Sequence, residues 1–295
     1  MMASSLVELS EAVAGVVSQL SGSVVGIGRR GSGVVTAEGQ VVTNAHNLRG
    51  DEVEVTFADG RRAAGQVAGA DGQGDLAVVT VDTGAAPAPA FAGTPAVVGQ
   101  VVVALANPGG RGARASLGLI SGVDVAFRGP EGRIVRGAIE HTAPLARGSS
   151  GGPVVDATGA LLGIDTHRIG EGAYLAVPAD AALRTRLAAL ARGEVPVRPR
   201  LGVALAPSHV ARRLRRSVGL PERAGLLVHG VDESGPAAAA GVLPGDLVVR
   251  VAGTDVSSVD DLADALERAG AGASVELGLV RGAEERSVTV LLPAA

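Results

Sequence analysis

The hexapeptide Gly148-Ser149-Ser150-Gly151-Gly152-Pro153 determines how the rest of the chain is interpreted. Glycines on both sides of a serine let the backbone turn sharply, so that the hydroxyl is exposed and successive N–H groups point in one direction. Such a turn supplies a nucleophile, Ser150, together with an oxyanion hole formed by the N–H groups of Gly148 and Ser150. Taken alone, the hexapeptide also fits an ordinary glycine- and serine-rich hairpin turn.

Two upstream residues complete the chemistry that a serine nucleophile requires. His46 ends the apolar run that begins at Val41, and Asp75 directly precedes the apolar run Leu76–Val79. A serine hydroxyl reacts only when a base removes its proton, and that base needs an orienting carboxylate. Each residue alone fits a polar turn. Together they predict a triad of His46 as general base, Asp75 as its orienting group and Ser150 as nucleophile, in the chain order of chymotrypsin-like barrels.

Short β-branched runs separated by Gly, Asp and Asn extend from Ser23 to Pro178. They predict strands at Val24–Ile27, Val34–Thr36, Val41–Thr43, Val53–Phe57, Leu76–Val81, Val98–Leu105, Leu117–Val123, Val154–Val155, Leu161–Ile164 and Ala173–Val177. Many short strands with frequent turns favour a sandwich or barrel. The 44 glycines fit such a turn-rich fold better than a helix bundle.

The sequence predicts four parts along the chain. They are an N-terminal amphipathic helix at 1–22, a double barrel at 23–178, a helix and linker at 179–199, and a small α+β domain at 200–295. The helix is rich in Ala, Leu and Arg and ends at Gly193, and the linker is Glu194–Arg200.

Composition excludes several classes of function. The chain has no Cys, so disulfides, thiolate metal sites and cysteine nucleophiles are excluded. A formal net charge of −4 gives no sign of nucleic-acid binding. The five His residues are scattered without a metal-binding motif, so neither a metal site nor a cofactor is expected.

The N-terminal residues lack the pattern of a secretory signal. Residues 1–22 contain no Arg or Lys, and Glu8 and Glu11 interrupt the apolar positions. No stretch reaches the ~18 consecutive apolar residues of a membrane span. These features predict a cytoplasmic protein, with a periplasmic or extracellular location as the alternative for a chain trimmed of its signal.

Five segments resemble, in the same order, those of the HtrA/Deg family of trypsin-like serine proteases. They are Gly31–Val35, Thr43–His46, Asp75–Val78, Asn107–Gly109 and Gly148–Pro153. The resemblance covers essentially the whole chain from Ser23. It implies a mainly β fold, a chymotrypsin-like double six-stranded β-barrel, with His46 and Asp75 in the first barrel and Ser150 in the second. It also implies a serine endopeptidase that acts on protein or peptide substrates in quality control or regulated proteolysis.

Some positions depart from the family pattern. Ser149 stands where the family usually has Asn, Asn47 where it usually has Val, and Thr142–Pro144 where it usually has an Asp-Ala pair. The N-terminal segment lacks the aromatic residues that resemble trimer contacts. The resemblance therefore leaves a homo-oligomer open without indicating a trimer.

Substrate preference follows from one of these positions. Proteases of this fold that cut after Arg or Lys place an acid six residues before the nucleophile, where this chain has Pro144. A cationic side chain would be buried there unpaired, at a large cost in free energy. No Arg or Lys preference is expected at P1, the residue before the cleaved bond. The resemblance implies small aliphatic P1 residues such as Val or Ala, in a pocket lined by Leu145 and Tyr174.

The C-terminal residues resemble a bacterial-type PDZ domain. The matching segments are Ser234–Ala237, Ala240–Val242 and Gly245–Val248, and the residues at the place of the carboxylate-binding loop are Arg200, Leu201, Gly202 and Val203. The resemblance implies that this loop binds peptide C-termini, with the peptide added as a strand beside Val203–Ala206. An ordinary strand start is the other interpretation of the loop.

Two functions of different classes remain open. One is an active endopeptidase whose PDZ domain recruits substrate tails or senses an activating peptide. The other is a PDZ-containing chaperone or adaptor whose protease site rests inactive. Two loops are candidate switch elements for the second, Gly109–Arg114 and Phe127–Arg133.

Overall fold

The chain forms two compact units, Met1–Val195 and Pro196–Ala295. The computed structural model describes residues 2–128, 134–170, 172–195 and 199–293. The predicted linker Glu194–Arg200 and the predicted switch loop Phe127–Arg133 lie partly outside these residues.

The first unit contains two closed six-stranded barrels, which confirms the predicted double barrel. The strands of the first barrel are β1 (Val24–Ile27), β2 (Gly31–Ala37), β3 (Gln40–Thr43), β4 (Glu52–Thr56), β5 (Arg62–Asp71) and β6 (Leu76–Thr80). Their spatial order is β1-β2-β3-β6-β5-β4. Register pairs such as Val41 with Val79 fill the interior with fully buried valines, because alternate residues of each strand point inward.

The second barrel supplies the other half of the unit. Its strands are β7 (Val101–Ala106), β8 (Arg114–Arg128), β9 (Ile134–His141), β10 (Pro153–Val155), β11 (Leu161–Ile169) and β12 (Ala173–Pro178). Their spatial order is β10-β11-β12-β9-β8-β7. The strand predicted from Val98 begins only at Val101, because Gly99 turns with φ of 87° and leaves Val98 exposed.

Two helices close the apolar core of this unit. They are α1 (Met2–Leu20) and α2 (Ala181–Ala191), and none of the described helices is both long and apolar enough to span a membrane. Asp180 caps α2 by accepting a hydrogen bond from the Leu183 N–H at 2.8 Å. One core joins both helices to strands of both barrels. Its helical members are Val16, Leu20, Leu183, Leu187 and Leu190.

The second unit is a small α+β sandwich. Its strands are β13 (Val203–Ala206), β14 (Leu226–Val231), β15 (Leu247–Val251), β16 (Thr254–Asp255), β17 (Ser274–Arg281) and β18 (Glu284–Leu291), and its helices are α3 (Ser208–Ser217), α4 (Pro236–Ala239) and α5 (Val259–Ala269). The sheet order is β13-β14-β15-β17-β18, with β16 on β15. Ser258 and Asp261 form a capping box that starts α5.

One ion pair fixes the loop before β15. Asp246 is buried and accepts hydrogen bonds from Arg281 Nε at 2.7 Å and Nη2 at 2.8 Å. Burial raises the pKa of this carboxyl, but the hydrogen bonds from Arg281 and from the Leu243 N–H outweigh it, so the net pKa lies below its usual value. The carboxylate therefore stays charged and keeps the loop in place.

We predict that Leu190→Ala destabilises the first unit by about 2–5 kcal/mol of unfolding free energy, because it removes a fully buried side chain from the core shared by the helices and barrels. Denaturant unfolding followed by circular dichroism measures the change. The control is Val97→Ala at an exposed loop position of the same unit, expected within about 0.5 kcal/mol of the unmodified protein. Equal stability of the two variants would contradict the packing described for α2.

Candidate active site

His46 follows β3 in a short 3₁₀ turn, Ala45–Asn47. Its ring Nδ1 lies 2.8 Å from Oδ2 and 2.9 Å from Oδ1 of Asp75, and its backbone N–H donates to the same carboxylate at 3.1 Å. The side chain of Asn44 donates to the Asp75 carbonyl at 2.7 Å. These contacts fix the ring against the carboxylate and leave Nε2 directed away from it.

Asp75 is held in an unusual backbone conformation. It is 1% exposed and has φ of 51°, a left-handed conformation that is uncommon for residues other than glycine. Its carboxylate also accepts a hydrogen bond from Thr166 Oγ1 at 2.5 Å. Because Thr166 lies on β11, both barrels fix the direction of this carboxylate.

The Ser150 loop approaches the first barrel so closely that only glycine fits at two positions. Gly148 and Gly151 have φ of 89° and 91°. A Cβ on Gly148 would collide with the carbonyl oxygen of Arg30, and a Cβ on Gly151 with that of Ser32. The glycines that flank Ser150 are therefore required by a positive φ and by close backbone contact between barrels.

The hydroxyl and N–H groups of this loop are available for chemistry. Ser150 Oγ donates to the carbonyl of Thr166 at 3.0 Å rather than to His46. The N–H of Ser149 donates to the Ala146 carbonyl, whereas those of Gly148 and Ser150 have no acceptor within the described part of the chain. Thr166 thus contacts Asp75 through its hydroxyl and Ser150 through its carbonyl, which brings the three predicted residues to one place.

Hydrogen bonds across the seam between the barrels hold the loop in position. Ser32 Oγ donates to the Gly148 carbonyl at 2.8 Å and accepts from the Asn107 N–H at 3.0 Å. The Ser150 carbonyl accepts from the Ser32 N–H at 3.1 Å and from Asn47 Nδ2 at 2.9 Å. Asn47, which departs from the family pattern, therefore links the turn that carries His46 to the Ser150 loop.

A pocket of about 260 Å³ opens beside Ser150. Its lining comes from Leu145–Ser150, Asp165–Arg168 and Tyr174, so both residues expected to line the pocket are present. The Tyr174 hydroxyl donates to the Leu145 carbonyl at 3.4 Å, which closes one side of the pocket.

A buried carboxyl–imidazole pair beside this pocket was missed by the sequence analysis. His141 Nε2 lies 2.7 Å from Asp165 Oδ1, and both side chains are almost fully buried. Burial raises the pKa of Asp165, and the hydrogen bond and charge of His141 oppose that rise without cancelling it. The only sequence signal was an Asp directly after the apolar run Leu161–Ile164, comparable to Asp75 directly before one.

Among the described residues, three side chains at this site are close enough together to hold a metal ion. Ligand atoms of His46, Asp75 and His167 all lie within 4.8 Å of one another. Two imidazoles and a carboxylate form a donor set that suits Zn²⁺. In the structure the same groups are engaged otherwise, since His46 bonds Asp75 and the His167 ring packs edge-on against His46 at 6.0 Å.

The predicted carboxylate-binding loop of the second unit leads into an edge strand. Leu201 is buried in the core, Arg200 is exposed, and Gly202 has φ of 72°. The loop is tied down by hydrogen bonds from the Ala237 N–H to the Leu201 carbonyl and from the Asp232 N–H to the Gly202 carbonyl. Val203 begins β13, which pairs with β14 on one side only in the described sheet.

Family models match both units. A trypsin-like peptidase domain matches residues 31–164, and a PDZ domain matches residues 199–292. The two barrels are thus similar to a trypsin-like peptidase domain, and the second unit is similar to a PDZ domain.

Similar proteins narrow the class further. A putative serine protease HhoA of Synechocystis is 36% identical over 90% of this chain and 70% of its own length. A probable periplasmic DegP-like serine endoprotease of Halomonas elongata is 34% identical over 88% of this chain, which spans 55% of that relative. The HtrA-type protease AlgW, solved with a decapeptide, superposes with a TM-score of 0.77 at 27% identity and covers 96% of this chain and 98% of its own. The chain belongs to the HtrA family of serine proteases.

The expectation of a cytoplasmic protein is wrong. DegP-like relatives from Halomonas elongata and Brucella suis are named periplasmic endoproteases. The expectation rested on the lack of basic residues in 1–22 and on the interruptions at Glu8 and Glu11, which indicated an amphipathic helix instead of a secretory signal. In the structure that pattern serves packing, since Val16 and Leu20 of α1 lie in the core, and core packing carries no information about the compartment.

We predict that Asn47→Ala slows covalent labelling of Ser150 by a fluorophosphonate about tenfold. The substitution leaves the Ser150 carbonyl and Thr43 Oγ1 without the Asn47 donor and loosens the seam that aligns His46 with the loop. The labelling rate constant, measured by in-gel fluorescence, checks this. Gln66→Ala on the exposed face of β5 is the control, and an unchanged rate for both variants would refute the role given to Asn47.

Proposed function

We propose that the protein is a serine endopeptidase with His46 as general base, Asp75 as its orienting carboxylate and Ser150 as nucleophile. The observation that carries the proposal is the buried Asp75 carboxylate, which holds the His46 ring at 2.8 Å and meets the same residue, Thr166, that contacts the Ser150 hydroxyl. Acyl transfer requires a base with its orienting group close to a nucleophile. Here the first barrel supplies the base and the orienting group, and the second barrel supplies the nucleophile.

Catalysis begins when the Ser150 hydroxyl rotates from the Thr166 carbonyl to His46 Nε2. His46 takes the hydroxyl proton as Ser150 Oγ attacks the substrate carbonyl, and Asp75 stabilises the imidazolium. The N–H groups of Gly148 and Ser150 bind the negative oxygen of the tetrahedral intermediate. His46 then donates its proton to the leaving amine, and water, deprotonated by His46, hydrolyses the acyl ester on Ser150.

The pocket beside Ser150 favours small P1 residues. Leu145 and Tyr174 narrow it, and Pro144 supplies no acid at the position that binds Arg or Lys in proteases of this fold. Side chains the size of Val or Ala therefore fit, and Arg or Lys is disfavoured. Asp165 also lines this pocket, but His141 already pairs with it.

We further propose that the PDZ domain binds peptide C-termini. The loop at Arg200, Leu201, Gly202 and Val203 would present N–H groups to the terminal carboxylate. The open side of β13 would pair with the peptide backbone. The solved AlgW complex with a decapeptide supports peptide binding by analogy.

Regulated proteolysis or protein quality control in the periplasm is the proposed setting, by analogy with the relatives named periplasmic endoproteases.

We also propose that copies of the chain assemble into a homo-oligomer. The α1 residues Leu6 and Leu9 share a shallow apolar surface with Leu117 of β8, and all three are exposed. Contiguous exposed apolar surface of this kind commonly marks a protein interface.

The alternative is a chaperone or adaptor whose protease site rests inactive. It is favoured by one observation, the hydrogen bond of Ser150 Oγ to the Thr166 carbonyl in place of one to His46. The bond also fits a resting enzyme that realigns when substrate binds, because catalytic hydrogen bonds often tighten only in the complex.

We predict that Ser150→Ala lowers casein hydrolysis at least about 1,000-fold, because no other group can form the acyl-enzyme. Ser149→Ala is the matched control, since among the described residues the neighbouring serine bonds only through its backbone N–H and carbonyl, and it should keep activity within about threefold. No turnover of casein by the unmodified protein, together with equal suppression of aggregation by the unmodified and Ser150→Ala proteins, would favour the chaperone.

We predict that a hydrophobic peptide with a free C-terminus binds at least about tenfold more tightly than the same peptide with a C-terminal amide, since charge-assisted hydrogen bonds to the loop are lost in the amide. Fluorescence anisotropy with the Ser150→Ala protein measures both affinities without cleavage. Indistinguishable affinities would argue against carboxylate recognition at Arg200–Val203.

A further inference from the structure

The buried pair of His141 and Asp165 has no part in the mechanism above. His141 ends β9 and Asp165 lies on β11, and their side chains are 0% and 3% exposed. The Tyr174 ring stacks on His141 at 5.7 Å, so both members of the pair lie behind or beside residues that line the pocket.

Two polar atoms of the pair lack partners among the described residues. They are Asp165 Oδ2 and His141 Nδ1, both buried and without a hydrogen bond. A buried carboxyl oxygen without a hydrogen bond costs free energy. When such an atom lies beside a pocket, a bound molecule can supply the missing hydrogen-bond donor.

The substrate pocket is where Asp165 can meet such a partner. The backbone of Asp165 is fully used, since its N–H donates to the Gly152 carbonyl at 2.8 Å and its carbonyl accepts from the Gly151 N–H at 2.7 Å. Oδ1 is used by His141. Asp165 is among the residues that line the pocket, and its Oδ2, which is itself buried, is the one side-chain oxygen of this residue without a partner among the described residues. A bound side chain must therefore displace part of the pocket wall to reach it.

The pocket walls restrict what that side chain can be. Leu145 and Tyr174 make the walls largely apolar, and the Tyr174 hydroxyl is directed to the Leu145 carbonyl. A small side chain with one hydrogen-bond donor fits this combination. A cation fits poorly, because Arg147 and Arg168 also line the pocket and His141 already occupies Oδ1 of Asp165.

We propose that Asp165, positioned by His141, is the specificity-determining group of the pocket and selects P1 residues with a hydroxyl, Thr and Ser, over their isosteres Val and Ala. This inference rests on the proposed endopeptidase function and refines its preference for small residues. A site that hydrogen-bonds a substrate hydroxyl discriminates strongly against an analogue without it, because the buried acceptor is then left unpaired.

The test compares kcat/KM for five peptides that differ only in P1, which is Thr, Val, Ser, Ala or Lys. We expect Thr to exceed Val, and Ser to exceed Ala, by about fivefold to a hundredfold, the range for leaving a buried acceptor unpaired. Val equal to or faster than Thr would overturn the inference while leaving the protease function intact. Lys as the fastest substrate would also overturn it, since the pocket would then select a cationic side chain and not a hydroxyl.

Variants separate specificity from folding. The double variant His141→Leu with Asp165→Val removes both polar partners, a change that buried pairs often tolerate, and should bring the Thr-to-Val ratio to one or below. Fluorophosphonate labelling and thermal unfolding verify that it is folded. If it does not fold, Asp165→Asn carries the test. A severalfold lower ratio is expected, because an amide whose oxygen keeps the His141 bond places its NH2 group where Oδ2 was. An unchanged ratio in either variant overturns the inference. Failure of the unmodified protein to cleave any of the five peptides or casein would reject the protease function and this inference together.

Discussion

Close backbone contact between the two barrels is the constraint on which the rest of the site depends. The loop that carries Ser150 lies against Arg30 and Ser32 at a distance that excludes any Cβ on Gly148 or Gly151. This contact brings Ser150, the proposed nucleophile on one barrel, close to His46, the proposed base on the other. The hydrogen bonds of Ser32 and Asn47 then fix the alignment, and they are effective because the two backbones already touch. Thr166 completes the link, since it meets Asp75 and Ser150 with different atoms.

The sequence predicted the barrels because their apolar β-branched runs are short and regular, but it missed two strands. β5 (Arg62–Asp71) is rich in Ala and Gly and has little strand propensity of its own, so the strands on either side impose its conformation. β9 (Ile134–His141) contains Arg, Gly and Glu and is held between β8 and β12. In both cases pairing partners that are distant in sequence determine the structure.

The candidate site was predictable to a similar extent. His46, Asp75 and Ser150 have local motifs, and the structure brings them to one seam. Thr166, Asn47 and the His141–Asp165 pair have no local motif, because each acts only through a partner on another strand or on the other barrel. Nothing adjacent to His141 in the sequence indicates a carboxyl group on β11. The polarity of the pocket depends on such neighbours across strands, and local sequence motifs do not reveal them.

The short length of β13 limits the number of backbone hydrogen bonds that the second unit can form with an added strand. An edge strand exposes hydrogen-bonding groups that invite pairing with any extended chain, and proteins restrain such edges by keeping them short or ending them with proline. β13 has four residues and is followed directly by Pro207. It therefore offers few backbone bonds to a guest strand, and captured chains should exchange readily instead of accumulating as a stable intermolecular sheet.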